Sequence, residues 1–561
     1  MRREESVVNK KVCSFPILFA LLALLIGTCA VVFPASAQAA PTSTGSITVG
    51  GTVASSYDAY QIFDARVVDG DNDAKIATDL AWVSDAVRDA ALPVLHNAGM
   101  PNSQTTAREA AEWLNTDSHL TSALSAQLAR SFQSSCAASV ALNADTAAEL
   151  PCGYWLIVAD DAIAQGEAGT APIMALVGGS AVTVKPKAAT PKVAKHVLED
   201  STAAWQKAAD ATVADDLYWR LSATVPAGLT AYDTYAVQFV DTMSTGLDPS
   251  KVAASMRVYV AAGADGGFDA VQTSKDGRAG TEPVKGWTDI TAQCATKVAA
   301  DGTFTVRTGD LIAALGGADA FTAGARVVAV YNAPLNSACN HGIAKGNPNE
   351  VYLRYPRSPF ADQSGDAGFT RTPSDDACAY TWDLALTKRG SDGDKPLAGA
   401  VLRIADDRGR TLAADGTWDA EGKATVTTGE DGRVTVSGVD SGKLEVCELK
   451  APKGYTAFEG TRSVTVKAEG LDVDQVAAAK PKLTITAESP LRADSADGST
   501  GSLEASLINT PTGTPPSITT GGFMPSTGDM AMYAAAAAAV AGAALIVVAL
   551  LVKRGGGSHK E

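Results

Sequence analysis

The chain has 561 residues, a formal net charge of −16 and only 5 histidines, with no cluster of Lys and Arg. That balance excludes a nucleic-acid surface and reads as solubility outside the cell. The length is too great for one core and, with both ends set aside, suits roughly three domains.

Taken in order, MRREESVVNKK is charged, FPILFALLALLIGTCAVVF is apolar and Ala37-Gln38-Ala39 supplies small residues. This pattern predicts a signal peptide over 1–39 and a secreted product. Of 8 cysteines, Cys13 and Cys29 fall within that leader. The others follow as Cys136 and Cys152, Cys294 and Cys339, Cys378 and Cys447. An even number in an exported chain predicts disulfides, and pairing in sequence order gives each domain one, although other connectivities stay open. No C-x-x-C spacing supports a zinc site, so no metal or cofactor is expected.

Residues 40–191 open with strand-like SITVGG and YDAYQIFDARVV. They turn helical through TTAREAAEWLNTDSHLTSALSAQLARSF and return to strand in GYWLIVADD and APIMALVGG. After the proline-punctuated KPKAATPK, residues 192–375 alternate apolar and polar at period two between Gly, Pro and Asp turns, as a β-sandwich does. A third all-β stretch covers 376–511, and PTGTPPSITTGG at 512–523 reads as an extended spacer. The expected fold is mainly β, with tandem immunoglobulin-like β-sandwich domains, the first carrying a helical insertion.

Certain polar residues fall on the inward side of the alternation, because residues i and i+2 of a strand share a face. Lys195 lies between Val193 and Val197, Asp241 follows Val237 and Phe239, and Asn349 precedes Val351 and Leu353. The third stretch repeats this with Lys388 after Leu384 and Leu386, Glu448 after Leu444 and Val446, and Asn509 after Leu503 and Leu507. Each β domain thus places a Lys near its start, an acid in its middle and an Asn near its end on inward faces. Buried charges must pair, neutralise or react. Desolvation favours a neutral amine and a protonated acid. Such an amine can attack the Asn carboxamide while the acid polarises its C=O, forming an isopeptide bond and releasing ammonia. The plainer alternative is a buried ion pair with Asn as a hydrogen-bond partner. Asn347 shares a face with Asn349, so either could be the acceptor.

KRGSDGDKPLAGAVLRI, LEVCELKAPKGY and SLINT resemble the Cna-B-type domain of Gram-positive pilins. That resemblance implies Lys388 as amine, Asn509 as acceptor and Glu448 as catalytic acid. VAKHV, VDTMSTGL and GNPNEVYLRY resemble the fimbrial isopeptide-forming domain, which implies the same roles for Lys195, Asn349 and Asp241. YDAYQIFD and GYWLIVADD resemble the N-terminal domain of backbone pilins.

At the far end, Met524-Pro525-Ser526-Thr527-Gly528 precedes an uncharged run over 531–552, long enough for the roughly 30 Å hydrocarbon core of a bilayer. Lys553 and Arg554 follow. Together, 524–561 resemble an L-P-x-T-G cell-wall sorting signal with Met524 in place of Leu, implying sortase cleavage after Thr527 and linkage to peptidoglycan. AVTVKPKAATPK resembles the pilin motif V-x-V-Y-P-K. There Val182 and Val184 share a face, which puts Lys185 and Lys187 on the other; Lys187 matches the motif nucleophile, with Lys185 and Lys192 as competitors. The resemblance implies a non-enzymatic shaft subunit of a covalent surface pilus serving adhesion. Its implied partners are sortases, identical subunits head to tail, peptidoglycan, minor pilins and host ligands. The alternative is an unpolymerised wall-anchored adhesin, or a tip or basal pilin, built from the same modules. An enzyme acting on outside substrates has no support from a Ser-His-Asp spacing, metal cluster or phosphate loop.

Overall fold

The computed structural model describes residues 43–513, apart from 51–53, 72–73, 117–118, 137–139, 161–166, 168, 187–189, 227–228, 264–286, 360 and 362. The expected leader, sorting signal and apolar run 531–552 lie outside the described residues. Among the described residues no helix is long and apolar enough to cross a membrane. The described residues are mainly β and form six sheets.

In the first unit a five-stranded sheet centres on Ser56–Asp69, flanked by Lys75–Trp82 and Gly153–Ala159. The expected helical insertion follows Lys75–Trp82 as three helices, Asp85–Asn97, Ala107–Leu114 and Ser122–Ser135. Each begins at a side-chain cap, Ser84, Thr106 or Thr121, and Glu109 closes a capping box with Thr106. Leu124, Leu128 and Phe132 recur at helical spacing and bury against Tyr60 and Leu156 of the sheet. A three-stranded sheet covers the other face, with Thr44–Val49 antiparallel to Ala147–Pro151 and parallel to Val182–Val184.

The middle unit is a sandwich. One six-stranded sheet contains Val193–Glu199, Tyr218–Thr224 and Arg326–Asn332 as neighbours. The facing seven-stranded sheet contains Asn347–Pro356 between Gln238–Met243 and Asp375–Tyr380. Inward residues of both sheets, including Trp219, Phe239, Phe304 and Tyr331, form one continuous core.

The third unit is a second sandwich. Trp382–Gly390 lies between Arg433–Val439 and Ser502–Pro511, and it runs parallel to the latter. Val401–Ala405, Gly442–Lys450 and Thr461–Glu469 make the facing sheet. Asp375–Tyr380 pairs within the middle unit, and only Thr381 separates it from Trp382–Gly390. The alternation predicted for all six inward polar residues is observed, since each lies on the buried face of its strand.

Candidate functional site

Two pockets, one in the core of each sandwich, collect the six residues. In the middle unit Lys195 comes from one sheet, while Asp241 and Asn349 come from adjacent strands of the other, where Asn349 stands opposite Met243. A shift of two residues keeps Asp241 and Asn349 on one face. All three side chains are fully buried. Lys195 Nζ donates to Asp241 Oδ2 and, at 3.0 Å, to the Tyr331 hydroxyl. That hydroxyl donates to Asp241 Oδ2 at 3.1 Å and accepts from Asn349 Nδ2 at 2.8 Å. The ammonium also sits 5.6 Å from the Trp219 ring centroid, and Phe304 meets Tyr331 edge to face at 4.8 Å. Two oxygens, Asp241 Oδ1 of the carboxyl and Asn349 Oδ1 of the carboxamide, are buried without a hydrogen-bond partner.

Burial dominates the electrostatics. It lowers the pKa of Lys195 to about 8 despite the attraction of Asp241, and it raises that of Asp241 despite the neighbouring amine. Both shifts move the pair toward its neutral form. The Tyr331 phenol is pushed well up, first by burial and then by Asp241, so it keeps its proton as a donor.

In the third unit the allocation is different. Lys388 and Asn509 share a sheet, on the parallel pair in which Lys388 stands opposite Leu507 and Gly390 opposite Asn509. Glu448 reaches in from the facing sheet. Lys388 Nζ contacts Asn509 Oδ1 and lies 3.3 Å from Glu448 Oε1. Asn509 Nδ2 donates to both Glu448 oxygens, at 2.8 and 3.1 Å, and Phe458 N donates to Oε2 at 3.1 Å. Burial again lowers Lys388 to about 8 against the pull of Glu448. Lone-pair attack needs such an amine beside a carboxamide carbon whose oxygen is polarised.

Asn347, the rival acceptor, is committed elsewhere. Its Oδ1 accepts from Asn340 N at 2.8 Å, and its Nδ2 donates to the carbonyls of Asn340 and Ala379 at 2.9 and 3.2 Å. It therefore acts as a clamp on its loop. Two further lysines are buried, Lys75 and Lys207, but carbonyl oxygens and an aspartate surround them. Lys75 donates to Ser180 O at 2.7 Å, and Lys207 to Lys195 O at 2.8 Å.

The six cysteines expected to form disulfides are unpaired in this structure. Cys136 ends a helix and packs into the helical cluster, whereas Cys152 belongs to a separate small cluster with Val67 and Leu176. Cys378 is buried beside Tyr380, whereas Cys447 is on the half-buried outer side of its strand, between inward Val446 and Glu448. Cys294 Sγ lies 3.3 Å from Ile290 O, and Cys339 Sγ lies 3.6 Å from His341 Nε2. Of the pilin-motif lysines, Lys185 and Lys192 are exposed, and Lys187 lies outside the described residues, as do Met524, Pro525, Ser526, Thr527 and Gly528.

Sequence reasoning missed Tyr331. Its signal was available in RVVAVYN, where Val327, Ala329 and Tyr331 share a face, and a hydroxyl on that face must find a polar partner.

Residues 383–480 match the family described as SpaA, prealbumin-like fold domain. The trypsin-resistant surface T6 protein of Streptococcus pyogenes serotype M6 is 30% identical over 143 residues, 24% of each chain, so the match spans about a quarter of that relative. The solved T6 backbone pilin of that serotype aligns over 85% of this chain and 100% of its own at 16% identity and a TM-score of 0.48. The full-length major pilin SpaD of Corynebacterium diphtheriae aligns over 85% and 99% at 14% identity and a TM-score of 0.41. The chain thus carries a SpaA-type prealbumin-like domain and is similar to the backbone pilins of Gram-positive bacteria.

Proposed function

We propose that this chain is the shaft subunit of a covalent, sortase-polymerised pilus, with each sandwich locked by an autocatalytic Lys–Asn isopeptide bond. The observation that carries this reading is the recurrence of a buried Lys, acid and Asn in one hydrogen-bonded cluster in two consecutive sandwiches, directly in the third unit and through Tyr331 in the middle one. In each, the neutral lysine amine adds to the Asn carboxamide carbon and ammonia leaves, giving a secondary amide. Asp241 and Glu448 supply and recover the proton on the amide oxygen.

The bonds suit a fibre under load. In the third unit Lys388 and Asn509 belong to the first and last long strands of the sandwich, side by side and parallel. An amide between them ties the entry and exit of the domain, so tension bypasses the hydrogen-bonded interior. In the middle unit the bond crosses from sheet to sheet, joining the two halves of the sandwich. Between subunits, the sorting signal supplies Thr527 as acyl donor and the pilin motif supplies Lys187 as amine. Repetition gives a head-to-tail, open heterologous assembly, and the last subunit is passed to peptidoglycan.

The test is an immunoblot of wall extracts boiled in SDS, comparing the wild type with Lys187→Ala. A ladder of high-mass species that collapses to monomer in the variant is expected. A ladder that survives transfers the nucleophile to Lys185 or Lys192, and a single wall-linked band in both strains replaces the shaft with an unpolymerised adhesin.

A further inference from the structure

We propose that Tyr331 is a catalytic residue of the middle sandwich, relaying a proton from the attacking amine of Lys195 to the departing nitrogen of Asn349. The inference rests on the isopeptide reading above and concerns how that pocket performs the reaction.

The two pockets differ in the reach of their acids. Glu448 touches the leaving nitrogen of Asn509 with both oxygens. Asp241, one methylene shorter, has its Oδ2 bonded to Lys195 and Tyr331, and the leaving nitrogen of Asn349 instead donates to the Tyr331 hydroxyl. That single oxygen is within hydrogen-bond distance of amine, acid and carboxamide, at 3.0, 3.1 and 2.8 Å. It belongs to a fully buried ring and is held by those three hydrogen bonds, so the hydroxyl is fixed before reaction. Retention of the phenolic proton by burial is consistent with the role.

The proton inventory closes without a co-reactant. Neutral Lys195 Nζ forms a bond to Cγ of Asn349, and the Cγ–Nδ2 bond breaks. Nζ sheds one proton to the Tyr331 oxygen as the Tyr331 O–H proton passes to Nδ2. The phenol ends unchanged, and Nδ2 leaves as ammonia with its own two protons and the relayed one. Asp241 lends a proton to the amide oxygen and recovers it on collapse.

The experiment expresses the full chain with Tyr331→Phe and samples it over time after synthesis. Mass spectrometry of tryptic digests follows the peptides joined at Lys195 and Asn349, and those joined at Lys388 and Asn509. Loss of the relay is expected to slow the first bond by about 100-fold while the second forms at the wild-type rate. Phe304→Leu, which disturbs the same wall without removing a polar atom, is expected to keep the first bond close to its normal rate. Wild-type kinetics in Tyr331→Phe overturn the proposal, as does equal slowing in Phe304→Leu, which would mark the effect as packing. If the wild type lacks both joined peptides, the isopeptide reading itself falls; if it has both, only the role of Tyr331 is in question.

Discussion

Lys388 and Asn509 are 121 positions apart in the chain, yet their side chains are in contact at the centre of a sandwich, on parallel strands that pair residue for residue. Glu448 closes the triangle from the opposite sheet. A covalent bond there would close a loop of more than a hundred residues, so its consequences for mass and stability are large enough to measure.

The intact mass of the purified ectodomain, after reduction, is expected to fall short of the sequence mass by one ammonia for each of two bonds. Asp241→Ala and Glu448→Ala should each restore one ammonia. A wild-type protein at full mass would leave only the buried ion-pair reading.

Glu448→Ala should also lower thermal stability, because the third unit loses its crosslink. By analogy with disulfide loop closure, a loop of this length is worth about 5 kcal/mol in the entropic model. Calorimetry of the variant beside the wild type checks this, and equal melting temperatures would deny the bond any stabilising role.

Asn347→Ala separates the two candidate acceptors. Mass loss in the middle unit should be unchanged, because the amine cluster engages Asn349 through Tyr331. Stability should fall by about 1–3 kcal/mol, the cost of leaving buried groups near Asn340 and Ala379 unpaired. Asn349→Ala should do the reverse for mass and restore one ammonia.

A variant unable to react exposes the titration of the buried lysine. In Asn509→Ala, burial holds Lys388 near 8 while the unfolded chain keeps the ordinary value of 10.5. Between those values the unfolded state binds more protons, so stability should rise as pH increases from about 8 to 10.5. Urea unfolding across that range reads the slope. Asn509→Ala combined with Lys388→Met should lose that rise, and an identical slope in both would show that Lys388 does not titrate in this window.

Much of the molecule was legible in the sequence because β-strand periodicity is local. An inward Lys195 or Glu448 follows from two neighbours on either side, and period two leaves no choice of face. The helices of the first unit were equally legible, since capping residues and helical spacing act within a few positions. What the sequence could not convey is which sheet each strand joins. Lys195 and Asn349 meet across the sandwich while Lys388 and Asn509 meet within one sheet, and no local pattern distinguishes the two. The same limit hid Tyr331, whose hydroxyl reaches Lys195, Asp241 and Asn349 only when its strand and Lys195 share one sheet opposite Asp241 and Asn349. It also left Asn347 and Asn349 equivalent until the loop at Asn340 claimed one of them. Composition and spacing determined which side chains are buried; the pairing of distant strands, a long-range choice set by core packing, decided which of them touch.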